Sequence, residues 1–281
     1  MRLVGVKLMM LLLMFFMVQC TQGPQYARKV MDIPSAAKET SGLAINGSSF
    51  ITHNDSGDGP NIYVLDTVQG NISRKVELRG AKNVDWEDME ASDGWLYIAD
   101  TGDNTSNRFK NSVYKIHLDT LTTSGKLTRK FEEIEFTFIN KKEKRKKVNS
   151  EAMMVVRDTI YFFSKDSKET DIFMLAPGSV EAEKIGDVKL PFAVTAACWM
   201  GNGTFAVSGY EKVTDTFYLS DVAIIKVDRL SEWKGEEWRV MNLKLRAQVE
   251  GIAHDGNRLF ISAEGIGISP GRLMELNVNL D

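Results

Sequence analysis

The chain has few cysteines, histidines and prolines, and these shortages exclude several kinds of site. It contains two cysteines, three histidines and six prolines in 281 residues. If Cys20 is modified or removed with an N-terminal signal, Cys198 has no disulfide partner. Three scattered histidines do not predict a histidine-rich zinc centre. No serine–histidine–aspartate order, Walker loop or cysteine–histidine pair is visible, so mechanisms that use them lack support.

The chain also lacks a strong charge of one sign. Its formal net charge is −3, which gives no reason to expect a nucleic-acid partner. The longest basic run extends from Lys141 to Lys147, between two strand-like segments. Its favoured interpretation is a solvated connector, and contact with anionic lipid or polysaccharide is the alternative.

Residues 1–20 have the features of an export signal. Arg2 and Lys7 supply positive charge, and Leu8 to Val18 is an unbroken apolar run of 11 residues. A membrane-spanning helix needs about 20 apolar residues, so this run predicts a signal peptide instead. We therefore expect an exported protein of the bacterial cell envelope.

The signal ends at a cysteine. The sequence from Met17 to Cys20, MVQC, resembles the lipobox of bacterial lipoproteins, although Gln19 stands where a small residue is usual. The resemblance implies lipidation of Cys20 and stable anchoring to a membrane through several acyl chains. The alternative is ordinary signal cleavage nearby, with Cys20 discarded.

The lipid anchor can be tested with the substitution Cys20→Ala. Without the thiol no acyl chain can be attached, so the protein should move from the membrane fraction to the soluble envelope fraction. Fractionation of the native host followed by immunoblotting measures this. A wild-type protein that is already fully soluble would contradict the anchor.

Short β-branched and aromatic runs, separated by Gly, Asp, Asn and Ser, dominate the rest of the chain. One unit recurs: an apolar strand, a tight turn, a second apolar strand and a polar loop. Its five clearest copies are Ser41 to Asp55, Glu87 to Asp100, Glu151 to Lys165, Thr195 to Tyr210 and Glu250 to Gly265. They begin about 45 to 65 residues apart, a spacing typical of four-stranded propeller blades.

The repeat predicts an all-β fold: a single β-propeller over residues 25–281 with five blades. Six blades are the alternative if Asp119 to Asn149 contains another copy. The fifth copy ends after its third strand, Arg272 to Val278, while Gln25 to Ile33 is a spare strand. We expect these two to pair, because such a closure removes open sheet edges.

Polar residues recur at one end of the predicted blades. The equivalent first-strand positions, which should line the central channel, are Ser41, Glu87, Glu151, Thr195 and Glu250. Second-strand ends at the same mouth add His53, Asp55, Asp100, Lys165, Tyr210 and Glu264. Converging carboxylates repel one another unless a cation or a basic group such as Lys165 lies among them. The pattern predicts a polar binding site, with Glu87, Glu151 and Glu250 as metal ligands; blade-to-blade hydrogen bonds are the alternative.

Two loops favour calcium as that cation. His53 to Asn61 and Ala99 to Asn107 are rich in Asp, Asn and Gly, and calcium prefers oxygen ligands. Neither loop matches the EF-hand pattern. Asx-turns without a metal are the alternative explanation of their composition.

Several of these segments have a familiar form. THNDSG, DWEDME, ADTGDN, SEAM, VEGIAHDG and ISAEG resemble motifs of a widespread group of exported bacterial propeller proteins. That group is distantly similar to gluconolactonase-like propellers and to the esterase-like phytase propeller. Gluconolactonase-like enzymes bind a divalent cation in the channel through a Glu of an EGP-like motif, with Asn and Asp. The EGI at Glu250 matches that motif in part, and the Asn and Asp ligands have no equivalents here.

Two functions are compatible with these features. The first is a lipid-anchored envelope module whose mouth binds a glycan, a small molecule or an envelope protein. The second is a metal-dependent hydrolase of the lactonase or phosphoesterase type, in which a channel cation polarises the substrate and activates water. The binding module is favoured, because the sequence offers no complete catalytic constellation.

Overall fold

The computed structural model describes residues 27–123, 127–140, 145–166, 169–214, 217–228, 230 and 238–277. The signal segment and Cys20 lie outside the described residues, as does part of the basic run that ends at Lys147. Within the described ranges no helix has the length and apolar character needed to cross a membrane.

The fold is a five-bladed β-propeller, as predicted. One strand, β1 (Arg28–Ile33), precedes the first blade. From the inner to the outer edge, the first blade consists of β2 (Thr40–Asn46), β3 (Ser49–Asn54), β4 (Asn61–Asp66) and β5 (Asn71–Leu78). The second consists of β6 (Trp86–Ser92), β7 (Trp95–Asp100), β8 (Asn111–His117) and β10 (Glu132–Ile139). The third consists of β11 (Ser150–Val156), β12 (Thr159–Ser164), β13 (Thr170–Leu175) and β14 (Glu181–Val188). The fourth blade consists of β15 (Ala193–Gly201), β16 (Thr204–Thr214), β17 (Phe217–Lys226) and β18 (Trp238–Leu245). The fifth consists of β19 (Val249–Asp255), β20 (Arg258–Ala263) and β21 (Gly271–Asn277), with β1 as its outermost strand.

The N-terminal strand closes the ring. β1 pairs antiparallel with β21, from Arg28 opposite Glu275 to Ile33 opposite Gly271. Arg28 also forms an ion pair with Glu275, which ties the two chain ends together. The predicted closure of the fifth blade is therefore confirmed.

The segment that raised the alternative of a sixth blade serves its neighbours instead. It contains the short helix α1 (Leu118–Thr123) and β9 (Leu127–Thr128), and it continues into β10. β9 pairs in parallel with β5, and β10 is the outer strand of the second blade. β10 also pairs in parallel with β14, so the second and third blades meet along their outer edges.

An apolar cluster fills each of the five gaps between neighbouring blades. Phe138 of the second blade packs on Phe173 of the third, with ring centroids 4.8 Å apart, and Phe50 packs on Phe260 at 4.8 Å across the closing gap. These apolar side chains are buried, and such burial is the dominant favourable term in folding. The alternation along each strand thus fixes which face of a blade meets its neighbour.

Two carboxylates of β6 cross the channel. Asp88 accepts hydrogen bonds from its neighbour Met89 N (2.8 Å), from Met153 N of the third blade (2.9 Å) and from Ala197 N of the fourth (3.0 Å). Inner strands are sheet edges, so their N–H groups need such acceptors. A side chain on one blade therefore fastens two others.

Glu90, two residues further along the same strand, repeats this arrangement. It accepts hydrogen bonds from Val155 N of the third blade and from Trp199 N of the fourth, the latter at 2.8 Å. Burial raises the pKa of Glu90 to about 8, against the opposing effect of these two N–H donors. Asp88 and Glu90, here called the channel clasp, join three inner strands.

Loss of the clasp should destabilise the ring. Asp88→Ala leaves three backbone N–H groups without their acceptor, and each buried unsatisfied group costs about 1–3 kcal/mol. We expect the free energy of unfolding to fall by about 3 kcal/mol or more, measured by chemical denaturation. Asp88→Asn, which keeps one acceptor oxygen, should lose less. Equal denaturation midpoints for Asp88→Ala and wild type would contradict a fastening role.

Candidate functional site

A backbone irregularity aims the first-strand residues at the channel. In four blades the pairing register between the first and second strands shifts at one residue of the first strand. These residues are Glu87, Glu151, Thr195 and Glu250. Such a bulge re-aims a side chain and is frequent next to functional sites. All four side chains are buried. The end of the channel at which the inner strands begin is called the mouth here.

Two of the five equivalent positions fasten blades together. Ser41 Oγ donates to the carbonyl of Glu87 in the second blade, at 2.6 Å. Thr195 Oγ1 donates to the carbonyl of Val249 in the fifth blade, also at 2.6 Å. Blade-to-blade hydrogen bonding therefore explains these two hydroxyls, and it leaves the three glutamates to be explained.

Glu87 shares its space with two aspartates from neighbouring loops. Asp55, Asp85 and Glu87 each place a carboxylate oxygen within 4.8 Å of the others, and these three residues are called the acidic trio. Burial, followed by the charge of Asp55, raises the pKa of Asp85 to about 6. Burial also raises the pKa of Glu87 well above its usual range. Glu87 Oε1 is buried and has no hydrogen-bond partner among the described residues.

The chain around the trio is shaped to bring these carboxylates close. Asp85 N donates to Asp100 Oδ1 at 3.0 Å, and Gly102 N donates to Asp85 O at 3.1 Å. A Cβ atom at Gly102 would lie 2.0 Å from Glu87 Oε1 and 2.3 Å from Asp85 Oδ2. The two carboxylates therefore occupy the space that a side chain at position 102 would need.

Glu151 is paired with a lysine. Its carboxylate forms an ion pair with Lys165 and accepts a hydrogen bond from Asn149 Nδ2 at 3.0 Å. The Lys165 ammonium also lies 5.2 Å from the ring centroid of Tyr210. Burial works against the charge on Lys165, but the carboxylates of Glu151 and Glu250 raise its pKa overall. Lys165 thus stays charged inside the mouth.

Glu250 has one oxygen satisfied and one free. Oε1 accepts from Gln248 Nε2 at 2.8 Å, whereas Oε2 is buried without a hydrogen-bond partner in the described part of the chain. Burial raises the pKa of Glu250 well above its usual range. Nearby Glu264 has its pKa raised to about 7 by burial and then by the charge of Asp55.

The structure brings together seven of the nine predicted mouth residues. Each of the seven interacts electrostatically with at least one other member of the group: Asp55, Glu87, Glu151, Lys165, Tyr210, Glu250 and Glu264. The three inner-strand glutamates do not form one ligand set. Glu151 is ion-paired with Lys165. Of the three glutamates, only Glu87 belongs to the acidic trio that can hold one ion.

His53 and Asp100 have other surroundings. The His53 ring is fully buried edge-on against Trp86, with centroids 5.4 Å apart, and burial lowers its pKa to about 4. Asp100 forms an ion pair with Arg108 at 2.9 Å and holds the backbone of Asp85. Both residues support the mouth from behind instead of lining it.

Sequence reasoning missed Asp85 and Gly102. Asp85 stands two residues before Glu87 in the segment DWED, outside the repeat unit as aligned. Its signal was present, because acidic residues cluster in that segment. Gly102 belongs to an oxygen-rich loop, where a glycine is ordinarily explained by a turn.

Comparison with known proteins supports the fold and no particular family. No family model matches the chain, and no curated protein does. Among solved structures, glutaminyl cyclase from Myxococcus xanthus is similar with a TM-score of 0.53 and 12% identity, over 91% of this chain and 98% of that one. A glucose dehydrogenase is similar with a TM-score of 0.53 and 7% identity, over 91% of this chain and 100% of that one. The match to Kuenenia stuttgartiensis hydrazine synthase covers 82% of this chain but only 57% of that one, with 13% identity and a TM-score of 0.42.

These similarities support the β-propeller fold, whereas the acidic mouth is described from the residues of this chain. At such identities they show the fold alone, since one fold supports many functions. The chemistry of the mouth must therefore be argued from its own residues.

The close approach at Gly102 gives a direct test of the trio. Gly102→Ala introduces a methyl group where Glu87 and Asp85 oxygens now lie, so both carboxylates must move. Affinity for calcium, measured by titration calorimetry, should fall by about tenfold or more. Melting in the absence of cation should change little, because the displaced side-chain ends can shift. Unchanged affinity would show that the trio does not bind the ion.

Proposed function

We propose that this protein is a binding module of the cell envelope, whose mouth holds a divalent cation, preferably calcium, and binds a ligand there. The observation that carries the proposal is Glu87 Oε1, a buried carboxylate oxygen with no partner in the described structure, beside Asp55 and Asp85. Buried polar groups normally have hydrogen-bond or metal partners. A cation supplies that partner to all three carboxylates at once.

The ligand atoms favour calcium. The trio offers only carboxylate oxygens, and hard cations such as calcium prefer oxygen ligands. Calcium also accepts a flexible geometry with further ligands from water or from a bound molecule. Positions left open on the ion are therefore available to a ligand entering the mouth.

The cellular place of the module follows from its N-terminal segment. A signal peptide ending at Cys20 would export the chain and anchor it by lipid to an envelope membrane. The propeller would then present its mouth to small molecules, glycans or proteins of that compartment.

Calcium should stabilise the fold by mass action. A ligand at 100 times its dissociation constant adds about 2.7 kcal/mol to the free energy of unfolding. We expect added calcium to raise the melting temperature, a chelator to lower it and Asp85→Asn to abolish the response. The response should strengthen from about pH 5 to pH 7, because Asp85, whose pKa is raised to about 6, must lose its proton to bind.

Asp93→Asn is the matched control. Asp93 is an exposed acid in the turn between β6 and β7, at the opposite end of the channel, and Asn tolerates its positive φ of 49°. Its variant should respond to calcium as wild type does. Chelator-insensitive melting, with no stoichiometric divalent ion in the purified protein, would refute the cation site.

A metal-dependent hydrolase is the second candidate, and Glu264 is the observation that favours it. Its pKa is raised to about 7, which suits a general base working near neutral pH. A cation on the trio would polarise a lactone or phosphoester oxygen. Turnover of either substrate by the calcium-loaded protein, lost in Glu264→Gln with calcium binding retained, separates this hydrolase from the binding module.

A further inference from the structure

The fourth and fifth blades form a second half of the mouth, apart from the acidic trio. Glu250 is 5% exposed, and its Oε2 has no hydrogen-bond partner among the described residues. The same carboxylate is fixed through Oε1 by Gln248. A buried acceptor that is held in place but unpaired is costly, so it points to a donor supplied from outside the chain.

The charges around Glu250 favour a cationic donor. After burial and the opposing effect of Lys165, the charges of Glu151 and Glu264 raise the pKa of Glu250. Lys165 forms an ion pair with Glu151 and also acts on Glu250 and Glu264, so one ammonium is shared among several carboxyl groups. Three carboxyl groups, those of Glu151, Glu250 and Glu264, face one ammonium, and an entering cation can take the place of the proton that the raised pKa of Glu250 favours on that carboxyl group.

Tyr210 makes the pocket suitable for a long basic side chain. Tyr210 is 8% exposed, its ring already lies near the Lys165 ammonium, and its hydroxyl group interacts electrostatically with Glu250. An aromatic ring attracts ammonium and guanidinium groups, and it also packs against the apolar stem of lysine or arginine. Tyr210, Gln248, Glu250 and Glu264 are called the basic-residue pocket below.

Three exposed apolar side chains lie at the mouth end of the molecule, in segments that follow pocket residues along the chain. Ile266 and Ile268 follow Glu264 in the loop between β20 and β21, with 41% and 105% exposure. Val213, three residues beyond Tyr210 in β16, is 46% exposed. Loops between second and third strands all lie at the mouth end, so these side chains lie at the same end of the molecule as the pocket. Exposed apolar groups beside a polar centre are typical of a protein-binding surface.

We propose that the basic-residue pocket binds a lysine or arginine of a polypeptide whose neighbouring apolar residues pack on Ile266 and Ile268. A metal ion or a glycan would satisfy Glu250 but would leave the isoleucines uncovered. A polypeptide with a basic residue between apolar ones satisfies both. The inference rests on the proposed role of the mouth as a ligand-binding face, but it uses residues outside the acidic trio.

A library of random heptapeptides displayed on phage, selected against the purified protein, tests the proposal. We expect enriched sequences with lysine or arginine between apolar residues. In synthetic copies, replacing the basic residue by norleucine should weaken binding by about tenfold or more, measured by fluorescence anisotropy. No enrichment, or enrichment without a basic residue, overturns the proposal.

Variants identify the surface. Glu250→Gln and Ile268→Ser should each weaken binding of the selected peptide by about tenfold, and Ile268 is too exposed for its loss to unfold the chain. Val68→Ser is the matched control, since Val68 is 95% exposed in the turn between β4 and β5, at the other end of the molecule. Equal binding by Glu250→Gln and wild type overturns the proposal.

The two proposals fail separately. Asp85→Asn should abolish the calcium response and leave peptide binding intact, whereas Glu250→Gln should do the reverse. Peptide binding in a chain that ignores calcium would remove the cation site and keep the basic-residue pocket. A protein that responds to calcium but selects no peptide would keep the cation site and remove the basic-residue pocket.

Discussion

The channel clasp is the contact on which the ring most depends. A propeller places five edge strands around one axis, and their inward N–H groups have no ladder partner. Asp88 and Glu90 supply acceptors to the third and fourth blades, while apolar clusters fill the gaps outside. The two side chains of the clasp thus join the second, third and fourth blades across the channel.

The mouth holds several buried carboxyl groups whose negative charges repel one another. Burial raises the pKa of six carboxyl groups in the mouth, and four of them, on Asp55, Glu151, Glu250 and Glu264, interact with Lys165. Protons can relieve the repulsion, and so can cations. Among the described mouth residues, Glu87 and Glu250 each keep a buried carboxylate oxygen that has no hydrogen-bond partner. These two oxygens are the basis of the two proposed sites, a cation beside Glu87 and a basic side chain beside Glu250.

The repeat was strong enough to predict the fold and much of the site. Five strand–turn–strand units gave the blades, and the spare N-terminal strand gave the closure. Counting along each unit also placed Glu87, Glu151 and Glu250 on equivalent positions, because matching positions in a repeat occupy matching places in the ring. The repeat did not reveal that the buried His53 ring packs edge-on against Trp86 of the next blade.

The sequence by itself determined the class of fold, the blade number and the end of the channel that carries charge, since these depend on periodicity and local turns. Tertiary structure decided which carboxylates meet. Strict alternation would put Trp86 and Asp88 on the same face of β6, but the bulge at Glu87 sends the indole into the apolar gap and the carboxylate into the channel. Asp55 and Asp85 approach Glu87 from separate loops, through a space that only Gly102 leaves open. Such contacts depend on backbone shifts and close approaches between blades, which no local pattern of residues specifies.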